Sequence, residues 1–336
     1  MHSCILIPGD GIGPEVTGAA VKTIQAASAD IEFIEVGIGQ SAYERYGDIV
    51  PLEVIEKIRK AKTVLKGPVS TPIGAGIPSA NRKLRRTLDL FASIRIANPL
   101  GTPSKVLEKG LVVIMDNMEG AAANIQNFLD QDETVGVSIL VSTMKNVRRL
   151  TEYAFEYCME KDRRKLTLVT LADHFKFTDG MWLKAARETR DRFPDLQYEE
   201  LLADNATCRL VQKPSDFDVI LTNDIWGETL CSLCAGLVGG TGITPVINTG
   251  SDVVMFETIH GAAPDIAGKN IANPTASIYG GALLLRHLGK NREAEAIENA
   301  LKSVIREGRI LTFDLGGNAT TTQFTREVVA RLGQEL

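Results

Sequence analysis

The chain has 336 residues, with 37 Lys and Arg against 42 Asp and Glu and a formal net charge of −5. That length buries a sizeable core and predicts two domains or subdomains. The acidic balance argues against a broad electrostatic footprint for nucleic acid, and no apolar run reaches the roughly 18 residues of a membrane span.

Short apolar runs alternate with helical patterns along the chain. The predicted strands are Cys4–Ile7, Ile31–Val36, Thr63–Lys66, Phe91–Ile96, Leu111–Met115, Val135–Val141, Leu166–Leu171, Phe217–Leu221 and Val253–Phe256. The predicted helices are Pro14–Ala27, Pro51–Lys60, Met144–Glu160, Thr178–Arg192, Ala206–Val211, Gly227–Val238, Ala276–Leu288 and Arg292–Arg306. A last helix opens at Thr320-Thr-Thr, whose hydroxyls suit an N-cap. Strand–helix alternation of this kind predicts an α/β protein with helices on both faces of a sheet. No Pro/Ser linker separates domains, so the boundary is crossed by continuous structure.

The N-terminus enters its first strand without the charged and apolar regions of a signal peptide. The cysteines at 4, 158, 208, 231 and 234 are odd in number and sparse. They predict no disulfide framework, and a cytoplasmic or other reducing compartment. Cys231-Ser-Leu-Cys234 is a lone CxxC in a helix-like run, read as buried small hydrophobes rather than a zinc or redox site. The basic run Asn81–Arg86 is local and by itself reads as a solvated helix face.

Two segments carry more information. Gly9-Asp-Gly-Ile-Gly-Pro-Glu15 follows the first strand and opens a helix, with Pro14 where a GxGxxG fingerprint would end in glycine. Alone it is a tight turn with proline at the first helical position. Glu257–Pro274 (ETIHGAAPDIAGKNIANP) sets a histidine, glycines, an acid and an amide between a strand-like and a helix-like run. Glycine lets a backbone approach a ligand, and an acid there accepts hydrogen bonds from a ribose diol and repels a 2′-phosphate.

Four blocks stand in order: Ile7–Glu15, Gly67-Pro-Val-Ser-Thr-Pro-Ile-Gly74, Ser79-Ala-Asn81 with Leu84-Arg-Arg-Thr-Leu-Asp-Leu-Phe-Ala-Ser-Ile-Arg95, and Glu257–Pro274. Together they resemble the isocitrate/isopropylmalate dehydrogenases, the β-decarboxylating dehydrogenases, in character closest to the NAD-dependent isocitrate enzymes. The resemblance implies a two-domain α/β fold with a clasp that is not a Rossmann fold. A large nucleotide-binding domain would comprise 1–98 and 253–336. A small domain, 99–252, would carry a dimer-forming clasp near 120–143. The resemblance also implies a homodimer or larger assembly in which each site is completed by the neighbour.

Members of this family oxidise a 2-hydroxy acid by hydride transfer to a nicotinamide and release the β-carboxylate as CO₂. On that pattern Arg85 and Arg95 fall on carboxylate-binding arginines, whose guanidinium forks suit a polycarboxylate. Ser79 and Asn81 fall on polar positions of the isocitrate-type substrate site. Thr71 and Glu257 fall near the nicotinamide, and His260, Gly261, Ala263 and Asn273 on the adenosine site. Asp265 and Ile266 stand where NADP users place Lys and Tyr, so NAD is the expected cofactor.

Other blocks depart from the family pattern. The third substrate arginine is replaced by Met115, the proton-donating tyrosine by Ala122 and the proton-relaying lysine by Leu171. In the metal block the two acids become Glu228 and Ser232, while Asp204 matches the acid donated across the dimer. Leucine and alanine transfer no proton, and a positioned acid or base gives about 10²–10⁴-fold each. Mg²⁺ or Mn²⁺ would find only Glu228 and Asp204, an incomplete site. His174 and Lys176 lie in the same block as Leu171 but are not read as relocated bases. The expectation is a regulatory or sensor-type pseudoenzyme that binds NAD and a polycarboxylate, with impaired oxidative decarboxylation, working as a homodimer or with an active paralogue. The alternative is an active NAD-dependent 2-hydroxy acid dehydrogenase whose pocket is made more apolar by Met115, Ala122 and Leu171.

Overall fold

A computed structural model describes residues 2–28, 30–70 and 79–335. The chain opens with β1 (His2–Ile7), α1 (Gly13–Ala26), β2 (Ile31–Glu35), α2 (Gln40–Tyr46), α3 (Leu52–Ala61), β3 (Thr63–Lys66), α4 (Ala80–Thr87) and β4 (Ala92–Ala97). It continues through β5 (Leu111–Asp116), β6 (Gly120–Phe128), β7 (Gly136–Val141), α5 (Met144–Glu160), β8 (Lys165–Thr170), α6 (Thr178–Arg190), β9 (Gln197–Leu202), α7 (Ala203–Gln212) and β10 (Val219–Thr222). It closes with α8 (Asp224–Val238), β11 (Pro245–Thr249), β12 (Val254–Thr258), α9 (Thr275–His287), α10 (Asn291–Glu307) and α11 (Thr321–Glu335).

The chain folds as two compact units, the first made of residues 1–90, 95–104 and 235–336, the second of 91–94 and 105–234. Continuous structure does cross between them, since β4 and α8 each contribute residues to both. Residues 235–252, expected in the second unit, belong to the first. The reason is pairing: β11 runs antiparallel beside β12, with Val246 opposite Glu257.

In the first unit the strands run β2-β1-β3-β12-β11, parallel except for the last pair. One face is covered by α1, α9, α10 and α11, which pack on one another. On the other face α3 and α4 bury Val54, Ile55, Ile58 and Leu84 against Ile5, Ile7 and Val64 of the strands. All four residues of β3 are buried, as expected of a parallel strand covered on both faces. The hydroxyl of Thr320 accepts the N–H of Gln323, and the Gln323 side chain accepts the N–H of Thr320, a reciprocal cap for α11.

In the second unit β5-β10-β8-β9 run parallel, with α5 and α6 packed together and α7 against β8 and β9. The strand predicted at 135–141 is one side of a two-stranded antiparallel arm, β6–β7. Ile125 pairs with Ile139 and Asn127 with Val137. One face of the arm therefore carries Ile125, Leu129, Val135, Val137 and Ile139. Four of these, at 125, 129, 135 and 139, are 48–68 % exposed.

Candidate functional site

In the first unit the site is built at the carboxyl ends of β3 and β12. These strands are parallel with Phe256 beside Leu65, so Glu257 and Lys66 emerge next to each other. Glu257 Oε2 meets Lys66 Nζ at 2.7 Å. Glu257 Oε1 meets Arg85 Nη2 at 2.5 Å and accepts Asn248 Nδ2 at 2.7 Å. Glu257 and Lys66 are buried, whereas the Arg85 side chain keeps 22 % exposure. Burial alone would raise the Glu257 carboxyl. The charges of Lys66 and Arg85, and their hydrogen bonds, override it and hold the group well below the usual carboxylate range. The cluster sums to one net positive charge, with Arg85 at its accessible end. Lys66 and Asn248 are not apparent from the sequence as site residues. The only signal is that Lys66 directly precedes the Gly67-Pro68 block.

The other substrate candidates carry local duties. Ser79 is the N-cap of α4, its Oγ accepting the N–H of Arg82 at 3.4 Å. Asn81 donates to the Val69 carbonyl at 3.3 Å, and its Oδ1 meets no donor. The basic run thus sits on a capped helix that aims Arg85 at Glu257. Arg95 is buried in β4. Thr71 lies outside the described residues.

The loop after β12 is seated by backbone contact with the N-terminal block. Ile12 N–H donates to the Ala262 carbonyl at 2.8 Å. Gly11, at φ 59°, comes so close that a Cβ would fall 1.9 Å from that same oxygen. Glycine is required here for loop-on-loop packing. Ile266 and Ala263 pack against Ile12, Val16 and Ala272. Gly261 and Asp265 are exposed. His260 Nδ1 lies 3.1 Å from the Gly261 carbonyl, while its buried Nε2 has no partner. Burial holds the imidazole below its ordinary value, against the opposing Gly261 contact and the charge of Asp314. With Nδ1–H donating, Nε2 is a neutral acceptor. Asn273 donates to Asp314 Oδ2 at 2.9 Å, and Thr312 donates to Asp314 Oδ1 at 2.6 Å. Asp314 is not apparent from the sequence either; its signal is the Thr-x-Asp turn before Gly316-Gly317.

A cleft of about 530 Å³ in the same unit lies between α1 and α11, lined by Glu15, Lys22, Thr322 and Arg326 among others. It includes none of the candidate site residues.

In the second unit the candidate positions are placed as follows. Met115, near the end of β5, is 2 % exposed. Its Sδ lies 3.9 Å from Cys231 Sγ, and a Cβ on Gly227 would fall 2.6 Å from its own Cβ. Met115 is therefore interior packing against α8. Leu171 follows β8 and donates its N–H to Asp179 Oδ2 at 2.7 Å. Ala122 donates its N–H to Asp224 Oδ2 at 2.8 Å. Ser232 Oγ bonds the Glu228 carbonyl one turn back on α8 at 3.0 Å. Asp204 Oδ1, on α7, accepts the N–H of Asn205 at 2.8 Å. Among the described residues no three His, Cys, Asp or Glu side chains gather as a metal site. His174 is 72 % exposed beside Asp173.

The sequence model of the isocitrate/isopropylmalate dehydrogenase family matches residues 3–329. The chain belongs to this family. Within it, the chain is 40 % identical over 333 residues to a mitochondrial regulatory subunit of NAD isocitrate dehydrogenase from Dictyostelium discoideum, covering 98 % of this chain and 92 % of that one. It is also 40 % identical over 329 residues to a mitochondrial catalytic subunit of NAD isocitrate dehydrogenase from Arabidopsis thaliana, covering 97 % and 87 %. The crystal structure of isocitrate dehydrogenase from Methylococcus capsulatus superposes with a TM-score of 0.94 at 39 % identity over 99 % of both chains. The architecture is thus that of an isocitrate/isopropylmalate dehydrogenase. Equal identity to a regulatory and a catalytic protein means that overall similarity does not sort the two roles, and individual residues must.

Proposed function

We propose that this chain is a non-catalytic or weakly catalytic subunit of the NAD isocitrate dehydrogenase type, which binds NAD and a polycarboxylate. One observation carries the reading. The positions that keep the family's residue types (Ser79, Asn81, Arg85, Arg95, Glu257, His260, Asn273) belong to the first unit, with Asp204 and Lys176 the exceptions in the second. The positions that depart (Met115, Ala122, Leu171, Glu228, Ser232) all belong to the second. Drift without functional pattern would not divide in this way. Ligand-holding groups are kept where the nucleotide loop lies, and proton-moving groups are lost together.

A nicotinamide dinucleotide, when bound, supplies a hydride acceptor. On this chain Asp265 would accept from its ribose hydroxyls, which favours NAD over NADP. His260 Nε2 and Asn273 would hold the adenosine half, and Thr71 and Glu257 would lie toward the nicotinamide. Arg85, with charge left over from Glu257, would take a carboxylate, and Arg95 a second. At the metal positions Asp204 is kept, Glu228 is a longer acid and Ser232 carries no charge, so a divalent cation would have only Glu228 and Asp204 to hold it.

The apolar face of the β6–β7 arm supports assembly as a dimer or larger, with a second copy or with an active paralogue. Free thiols at all five cysteines, four of them buried, support a reducing compartment. Calorimetry with NAD and with isocitrate, beside a turnover assay with Mg²⁺, tests the function. Binding of both without NADH supports it, and turnover at rates ordinary for such enzymes overturns it.

A further inference from the structure

The cleft of about 530 Å³ between α1 and α11 lies in the first unit, where the two helices pack on one another. Lys22 of α1 and Arg326 of α11 line it, with Asn270 of the loop after β12. Both cations are exposed. Among the described residues neither meets an acid or a hydrogen-bond acceptor, whereas Arg331 on the same α11 is paired with Glu307 and Glu327. Asn270 Oδ1 accepts the Thr322 N–H at 3.1 Å and the Thr322 hydroxyl at 2.8 Å, which leaves both Nδ2 hydrogens unspent among the described residues. The other polar groups of the lining are committed. Thr325 donates its hydroxyl to the Thr321 carbonyl at 2.7 Å, and Thr321 donates its own to the Ala272 carbonyl at 2.6 Å. Glu15 Oε1 accepts the Gly268 N–H at 2.6 Å, and its Oε2 is shut away from solvent. The groups left over are therefore donors, two of them charged.

We propose that this cleft binds a phosphate-bearing small molecule and that its occupation stiffens the loop after β12. The unspent donors come from three separate elements. A tetrahedral phosphate presents oxygens in as many directions, whereas a carboxylate presents two in one plane. Guanidinium and ammonium groups make charge-assisted hydrogen bonds to phosphate. The volume exceeds that of a lone phosphate and falls within the range of small-molecule sites, about 300–1,000 Å³. Pro14, Ala19 and Val329 give the remaining wall an apolar surface for an organic body. Gly18 keeps that wall open, since a Cβ there would meet nothing within 4 Å.

The loop is fastened to both walls. Glu15 of α1 holds its Gly268 N–H. On the α11 side its Asn270 carbonyl accepts the Thr321 N–H at 2.9 Å, and the Asn270 side chain accepts that of Thr322. A ligand that joins Lys22 to Arg326 ties α1 to α11, so the loop cannot lift from either wall without losing the ligand. The amides at these fastenings then exchange more slowly by the factor 1 + [L]/Kd.

Calorimetry on the full chain with inorganic phosphate, phenyl phosphate and citrate, in a buffer free of other oxyanions, tests the site. It needs no NAD, so its outcome is separate from that of the proposed function. Phenyl phosphate should bind more tightly than phosphate, because its ring covers the apolar wall, and citrate more weakly than phenyl phosphate. Lys22→Ala and Arg326→Ala, at exposed positions, should each weaken phenyl phosphate about tenfold or more. Gly18→Leu keeps every charge and replaces a helix glycine with a better helix former; it should remove the advantage of phenyl phosphate over phosphate. At about ten times the Kd of phenyl phosphate, protection of the Gly268, Thr321 and Thr322 amides should rise about tenfold in the wild type and about twofold or less in Arg326→Ala. No binding of either phosphate, binding that survives both charge substitutions, citrate binding the most tightly, an advantage of phenyl phosphate that persists in Gly18→Leu, or unmoved protection overturns the proposal.

Discussion

Glu257 serves two cations at once, which gives an ordered prediction for its neighbours. Lys66, Arg85 and Glu257 sum to +1. Glu257→Gln leaves +2 in a site where Lys66 has 2 % of its side chain exposed. Lys66→Met leaves 0, with Glu257 still held by Arg85 and Asn248. Stripping one partner from a buried ion pair costs about 3–5 kcal/mol. Glu257→Gln should fall in that range, because the amide keeps one acceptor but no charge. Lys66→Met should cost less, about 1–3 kcal/mol, as packing and one hydrogen-bonded pair survive. Urea unfolding of both variants measures this, with m unchanged as the check on two-state comparison. The depressed Glu257 carboxyl contributes stability that is fully present above the unfolded value, about 4.3, and lost only as pH falls through the folded one. The difference between the variants should therefore be flat from about pH 6 to about pH 8. Lys66→Met costing as much as Glu257→Gln, or both costing under about 1 kcal/mol, would refute the reasoning.

Other outcomes follow from the same geometry. Gly11→Ala should destabilise by more than about 2 kcal/mol in thermal or urea melts, since its Cβ meets the Ala262 oxygen and its φ disfavours an L side chain. Met115→Arg, which restores the family's residue type, should cost about 3–5 kcal/mol and gain no turnover, because the position is closed by Gly227 and Cys231; a stable variant that reduces NAD would contradict this. Asp265→Lys should weaken NAD and improve NADP binding in calorimetry, and equal affinities before and after would exclude a role for the acid. His260 is held below its ordinary value, so its contribution to stability is present above about pH 6.5 and lost as pH falls below it; His260→Gln should flatten that part of the stability-versus-pH curve.

Much of the first unit was legible from sequence because its signals are local. Thr63–Lys66 reads as a strand and is one, and the Thr320 cap can be foreseen from hydroxyls at the start of the last helix. The misses have physical causes. β6 carries only Ile125 and Phe128 as large apolar residues and is stabilised by its partner rather than by a core, so no period announces it. β9, QYEELL, is an edge strand of polar composition. β11 opens with proline and is specified by pairing with β12. At the site, the motif located Glu257 but not its charge partners: Lys66 is 191 residues away and becomes a neighbour only through the β3–β12 register. Met115 could be read as a lost arginine. That it fills interior space against α8 depends on the approach of Gly227, which no spacing encodes.

The proposed role is that this chain holds NAD and reduces it weakly or not at all. The direct measurement is NADH absorbance in a sample first shown by calorimetry to be saturated with NAD, after adding isocitrate and Mg²⁺. NAD binding with NADH absent, or formed far more slowly than isocitrate dehydrogenases ordinarily form it, is the predicted result. NADH formation at rates ordinary for isocitrate dehydrogenases would contradict it.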